Sequence, residues 1–321
     1  MPSIAQYFPI TDPTLIFFVV LCIILLAPIV MSRLRIPHIV GMVLAGVAIG
    51  QYGLNILERD SSFELFGRVG LLYIMFLAGL ELNLTSIRKK HRQFLVFGLL
   101  TFLIPFVMAY FMGIFLLKYS EMTSLLLACI LASNTLIAYP IVCKFGLQKH
   151  PGVALSVGSS MIALTLSLLI LAAIVGSSDG ESGVSFWMLF FVKVIAFCAL
   201  STMIVPRLTR WFFNHYADSV MLYIYVMCVL FFSAAISEIC GLEGIFGAFV
   251  AGLLLNRYIP SVSPLMNRIE FIGNALFIPY FLIGVGMLID FSVLFHGYDT
   301  LWVIFCMVMI ATISKALAAY V

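Results

Sequence analysis

Residues 125–146 read LLLACILASNTLIAYPIVCKFG and residues 153–174 read VALSVGSSMIALTLSLLILAAI. These are two apolar runs back to back, and neither has the composition of an ordinary lipid-facing helix. Ser133, Asn134 and Thr135 interrupt the first, and Pro140 follows them. Proline lacks the N–H that would continue a helix, so carbonyls about one turn back lose their partners. In hydrocarbon such carbonyls are tolerated where they are buried in protein or face a water-filled cavity. A polar, proline-broken segment at membrane depth therefore marks a candidate ion or substrate pathway. The second run would line the same cavity with Ser156, Ser159, Ser160, Thr165 and Ser167. No Asp or Glu lies between Glu121 and Asp179.

Outward from this pair the chain keeps the same character. It has 321 residues, of which 64% are hydrophobic and 10% charged, with a mean hydropathy of +1.19. Soluble domains are nearer 45–50% apolar and about 25% charged, so this is an all-α polytopic membrane protein. Apolar runs of about 20 residues suit helices crossing a core of roughly 30 Å, and they lack the ~10-residue alternation of a membrane barrel. The seven cysteines form no CxxC pair and sit mostly in apolar runs, where small apolar side chains fit. No metal site, cofactor or nucleic-acid partner is expected. The N-terminus MPSIAQYFPITDP has no basic region, so the first apolar run reads as a retained helix rather than a leader.

Eleven spanning segments are expected, near 13–32, 36–51, 66–83, 93–117, 122–144, 152–176, 184–205, 217–239, 243–256, 268–289 and 299–321, in a single transmembrane domain over 1–321. Basic residues alternate across the loops. One side holds Arg33 and Arg35, then Arg88 to Arg92, then Lys144 and Lys149, then Arg207 and Arg210, then Arg257 and Arg268. The other side has only Arg59, Arg68 and Lys118, beside acidic loops at Asp179 and Asp290. The excess of Lys and Arg places those basic loops in the cytoplasm and the N-terminus outside.

GMVLAGVAIG (41–50) and GIFGAFVAG (244–252) are short and rich in small residues, which let helix backbones approach closely. Pro105 and Pro279 interrupt apolar runs, and Asn274, Gly284 and Gly286 near Pro279 predict an irregular helix there. Segments two and three echo segments nine and ten: each pair is a short small-residue helix followed by one ending in Gly, Leu and an acid. In the expected topology, segments two and nine run in opposite senses, as an inverted repeat requires.

Five ordered stretches resemble the cation:proton antiporters of the Kef-type and sodium/proton exchanger group. They are RIPHIVGMVLAGVAIG (35–50), YIMFLAGLELN (73–83), ILASNTLIAYPIV (130–142), GLEGIFGAFVAGLLLNRYIP (241–260) and SPLMNRIEFIGNALFIPYFLIGVGMLID (263–290). The resemblance implies the sodium/proton antiporter fold with inverted repeats and a broken crossover helix. It implies a homodimer, with a scaffold and a mobile core that carries the ion site across the bilayer. It also implies exchange of Na+ or K+ for protons at a bacterial inner membrane. Two departures stand out. Relatives resemble VGGTMITDTLALL where this chain reads VGSSMIALTLSLL (157–169), so Leu164 occupies the position of the ion-binding Asp and Ala163 replaces its polar neighbour. Relatives also continue for two further helices, whereas this chain stops at Val321 inside an apolar run, so a C-terminal truncation is expected.

Exchange needs a group that holds a cation or a proton but not both. An ionised carboxylate binds the cation, and a protonated one does not. Leucine can do neither. Insertion scales put Asp at about +2.5 to +3.5 kcal/mol at a helix centre and Leu near −0.5, so Leu164 lowers the cost of that helix by roughly 3–4 kcal/mol. The pathway candidates are Ser133, Asn134, Thr135, Pro140, Ser160, Leu164, Thr165 and Lys315, with Glu81, Glu243 and Asn274 secondary. Lys315 enters because intramembrane lysines are functional by default. Two functions remain: a monovalent cation:proton antiporter, or a transport-silent homologue acting as a sensor, partner-binding subunit or membrane anchor. An enzyme is disfavoured, since the chain has no HExxH, no nucleophile with a nearby base and no phosphate loop.

Overall fold

Apolar runs of this length satisfy their backbones in hydrocarbon by coiling. The computed structural model describes residues 9–34, 36–81, 91–133, 142, 145–147, 150–178, 184–260, 262–292 and 298–320. In chain order the helices are α1 (Pro13–Arg33), α2 (His38–Ile49), α3 (Ser61–Glu81), α4 (His91–Phe111), α5 (Glu121–Ala132), α6 (Pro151–Ser178), α7 (Val184–His215), α8 (Ser219–Ile239), α9 (Gly244–Leu255), α10 (Pro264–Ile272), α11 (Ile278–Met287) and α12 (Tyr298–Tyr320). A π turn (Met112–Leu116) extends α4, and another (Gly273–Phe277) joins α10 to α11. Among the described residues, seven helical spans are long and apolar enough to cross a membrane, and four shorter apolar helices accompany them. The sole extended pairing there is an isolated bridge between Ile10 and Leu57.

Polar caps start several of these helices. Asp12 accepts from the Leu15 amide at 3.0 Å, Asp60 from Phe63 at 2.8 Å and Ser263 from Met266 at 3.1 Å, each filling part of the need of an open first turn. Three boundaries differ from the sequence expectation. Helix α3 starts five residues before position 66, behind its Asp60 cap. Helix α7 runs ten residues past position 205, through Pro206. That proline removes one hydrogen bond, while Arg207 Nη1 donates to the Met203 carbonyl at 2.8 Å and Thr209 Oγ1 to Val205 at 2.7 Å. A helix leaving the hydrocarbon no longer needs apolar residues, so Arg207 and Arg210 do not mark the helix end. Helix α5 stops at Ala132, well before 144. The irregularity expected near Pro279 falls just before it, in the π turn, and the proline itself sits in the tolerated first turn of α11.

Helix packing among the described residues forms two groups. Helices α1, α2, α3 and α8–α11 pack on one another, and α4, α5, α6 and α12 form the other set. We call them scaffold and core. The scaffold encloses the large buried cluster, including Tyr73, Phe76, Leu230, Leu255, Ile269 and Ile283. The core encloses a smaller one of Phe102, Ala132 and Ala163. Helix α6 reaches the large cluster through Val153 and Val157 near its start. Helix α7 lies between α6 of the core and α8 of the scaffold in sequence and packs on α8 and α9. There the Phe197 and Phe246 ring centroids lie 6.0 Å apart and the Thr209 and Tyr225 hydroxyls 2.8 Å apart.

Two crossings in the scaffold share one geometry. Where α2 meets α11, a methyl on Gly46 would fall on the Ile283 carbonyl and 3.1 Å from the Gly286 Cα; one on Gly286 would fall on the Val43 carbonyl and 3.0 Å from the Gly46 Cα. Where α3 meets α9, a methyl on Gly79 would lie 2.5 Å from the Phe249 carbonyl oxygen and 3.0 Å from the Gly252 Cα; one on Gly252 would fall on the Phe76 carbonyl. In all four cases the blocked carbonyl lies three residues before the partner glycine. Segment two packs on the second half of segment ten, and its counterpart, segment nine, packs on segment three, an exchange of partners consistent with the sequence echo.

Candidate functional site

The core is where the opening pair of runs folds. Helix α5 ends at Ala132, and Ser133 turns extended with φ −62° and ψ 133°. Its amide still donates to the Cys129 carbonyl at 3.0 Å, and its hydroxyl donates to the Ile130 carbonyl at 2.8 Å. A serine that bonds back into its own turn offers the backbone an alternative to continuing the helix. Asn134, Thr135 and Pro140 lie outside the described residues.

Helix α6 carries the hydroxyl stripe. Ser159 and Ser160 are fully buried, and both donate to the Ser156 carbonyl, at 2.9 and 2.7 Å. Ser167 donates across to the Cys129 carbonyl of α5 at 2.6 Å. Cys129 thus accepts from Ser133 and Ser167 together, which ties the last turn of α5 to the middle of α6. A hydroxyl that has donated its proton keeps lone pairs able to face a cation. Thr165 is half-buried on the same helix.

Leu164 is 7% exposed and Ala163 is fully buried, the latter against Phe102 and Ala132. Both positions are buried. Lys315 is half-buried on α12, which packs on α4 and touches α5. The structure therefore brings Ser133, Ser160, Leu164, Thr165 and Lys315 into one bundle. The secondary candidates belong to the scaffold. Glu81 ends α3, Glu243 is the residue before α9, and Asn274 is exposed in the π turn between α10 and α11. An ion pair that the sequence reading missed joins Arg68 of α3 to Glu238 at the end of α8, at 2.5 Å. Two residues 170 apart in sequence carry no local signal of such pairing. Among the described residues no group of three His, Cys, Asp or Glu side chains is placed to hold a metal ion.

Comparison with known proteins agrees with this frame. The family described as "Sodium/hydrogen exchanger, transmembrane" matches over residues 19–321. The Na(+)/H(+) antiporter NhaS5 of Synechocystis sp. is 31% identical over 96% of this chain, which spans 44% of that protein's length. The Na(+)/H(+) antiporter of Enterococcus hirae is 26% identical, with 95% of this chain and 81% of the relative covered. The K(+)/H(+) antiporter 1 of Saccharomyces cerevisiae is 27% identical over 96% of this chain and 39% of its own length. In fold, the chain matches the sodium proton antiporter MjNhaP1 of Methanocaldococcus jannaschii with a TM-score of 0.65 at 18% identity, covering 88% of this chain and 72% of that one.

Proposed function

From a chain that belongs to the sodium/hydrogen exchanger family, and is a multi-pass membrane protein, we propose the transmembrane part of a monovalent cation:proton antiporter. It exchanges Na+ or K+ by alternating access, the core moving against the scaffold. The observation that carries this reading is the break of α5 at Ser133 beside the hydroxyl stripe of α6, inside a bundle that packs mainly on itself and meets the scaffold near the start of α6. Serine oxygens of α5 and α6 supply cation ligands. Leu164 supplies no charge, so the proton must sit elsewhere. Lys315 is the titratable group of the same bundle that suits the task. A cation on the core oxygens and a proton on that amine repel one another in a dry bundle, so one is released as the other is taken. The net charge of the loaded core is then the same in both states.

The protein would act as a homodimer in a bacterial inner membrane, with its N-terminus outside. That orientation rests on the alternation of basic loops. The test is cation-dependent proton flux in proteoliposomes: the reading expects exchange from the unmodified chain and loses its basis if none occurs.

One observation favours a second reading. The buried leucine at the carboxylate position suits a transport-silent homologue that keeps the fold for sensing, partner binding or anchoring. Exchange that appears only after Leu164→Asp supports it over the first.

A further inference from the structure

At the end of the scaffold where α1 and α3 begin and α11 ends, a cavity of about 470 Å³ opens between those helices. Its described lining includes no residue of the core bundle. The wall is largely aromatic. The Tyr280 ring centroid lies 5.0 Å from that of Phe66, 5.3 Å from Phe63 and 5.9 Å from Phe17. Phe17 comes from α1, Phe63 and Phe66 from α3, and Tyr280 from α11, so three helices converge on one aromatic cluster, with Phe63 and Tyr280 buried at the base of the cavity and Phe17 and Phe66 more open.

A single carboxylate shares the wall. Asp60 Oδ1 accepts from the Phe63 amide at 2.8 Å, and its other oxygen has no hydrogen bond or ion pair among the described residues. The cations nearby are engaged: Arg59 pairs with Glu64 at 3.7 Å and Arg68 with Glu238 at 2.5 Å. The first turn of α1 also lines the cavity, behind the Asp12 cap. Among the described residues, the mouth therefore presents negative charge with no unengaged cation beside it.

Rings of Phe and Tyr attract a cation placed within about 6 Å of their centroids, and quaternary ammonium ligands are recognised this way. A bare Na+ or K+ needs several oxygen ligands, and this wall is mostly carbon. An anionic headgroup is opposed by Asp60. The volume falls in the range of small-molecule sites, about 300–1,000 Å³. We propose that this cavity binds a soluble organic cation with a methylated ammonium head, held by the Phe17, Phe63, Phe66 and Tyr280 rings with Asp60 as counter-ion. The site is separate from the exchange pathway and does not depend on it.

Equilibrium binding of radiolabelled choline to the full chain in phosphatidylglycerol nanodiscs tests this directly. Asp60→Asn removes the charge but keeps a good helix cap, and Phe17→Leu removes a ring at a partly exposed position while keeping apolar bulk. Saturable binding is expected, weakened about ten-fold or more by Asp60→Asn and several-fold by Phe17→Leu. Absence of saturable binding, or binding that neither substitution weakens, overturns the proposal. Repeating the titration in phosphatidylcholine nanodiscs separates the sources. Unchanged choline binding supports a soluble ligand, and a marked fall overturns that assignment in favour of the lipid headgroup.

Discussion

In the scaffold, α2 meets α11 and α3 meets α9 backbone on backbone, with glycines at each crossing and no side chain between. In the core, α5 meets α6 through a serine hydroxyl on a carbonyl, Ser167 to Cys129. These seams draw on the same apolar alphabet but are joined differently. Glycine contacts give a close, dry seam that tolerates no added atom. Hydroxyl contacts give a seam whose partners can be exchanged for an ion or a water. A frame that holds still and a carrier that opens would need these two kinds of seam.

The contrast can be broken at either side. Leu164→Asp should have the largest effect on stability. It places a carboxylate in the dry core and should cost about 3 kcal/mol unless a cation or proton is bound. Thermal unfolding of the variant in micelles should therefore recover as Na+ or acid is added, and an unconditional loss would argue that the position faces no pathway. Next come Gly46→Ala and Gly252→Ala, each putting a methyl onto a carbonyl of the partner helix. Each should destabilise by about 1–3 kcal/mol, and by similar amounts, because the two crossings share one geometry. Gly67→Ala is the control: nothing lies within 4 Å of an added methyl there, so the helix should gain up to about 1 kcal/mol.

Ser167→Ala should cost about 1 kcal/mol by leaving the Cys129 carbonyl one donor short. Loosening between α5 and α6 should show as faster hydrogen exchange around Cys129. Arg68→Gln should be smallest, below about 1 kcal/mol and shrinking with salt, because the pair it breaks is solvent-exposed. A large, salt-independent loss would mean that α3 and α8 depend on that pair and not on the glycine seams beside it.

Much of the frame was legible in the sequence. The apolar runs located the helices, and the small residues of 41–50 and 244–252 announced close packing. The sequence could not say which helix each glycine stripe would meet, since periodicity describes one helix at a time; only the echo between segments hinted at the exchange of partners. Pro140 and the polar run before it announced the break in α5, yet regular helix ends at Ala132, because Ser133 bonds back to Ile130. Arg207 and Arg210 read as a loop, but the helix passes through them. The aromatic cluster around Tyr280 carries no local sequence signal, for Phe17 lies more than 260 positions from Tyr280 and each ring alone looks like ordinary core.

In the proposed exchange cycle the titratable group of the core is Lys315 and not residue 164. Proton flux driven by Na+ or K+ in proteoliposomes, comparing the unmodified chain with Lys315→Gln, tests it most directly. Exchange by the unmodified chain and none by Lys315→Gln is the expected result. No flux from the unmodified chain, with exchange restored by Leu164→Asp, would contradict it.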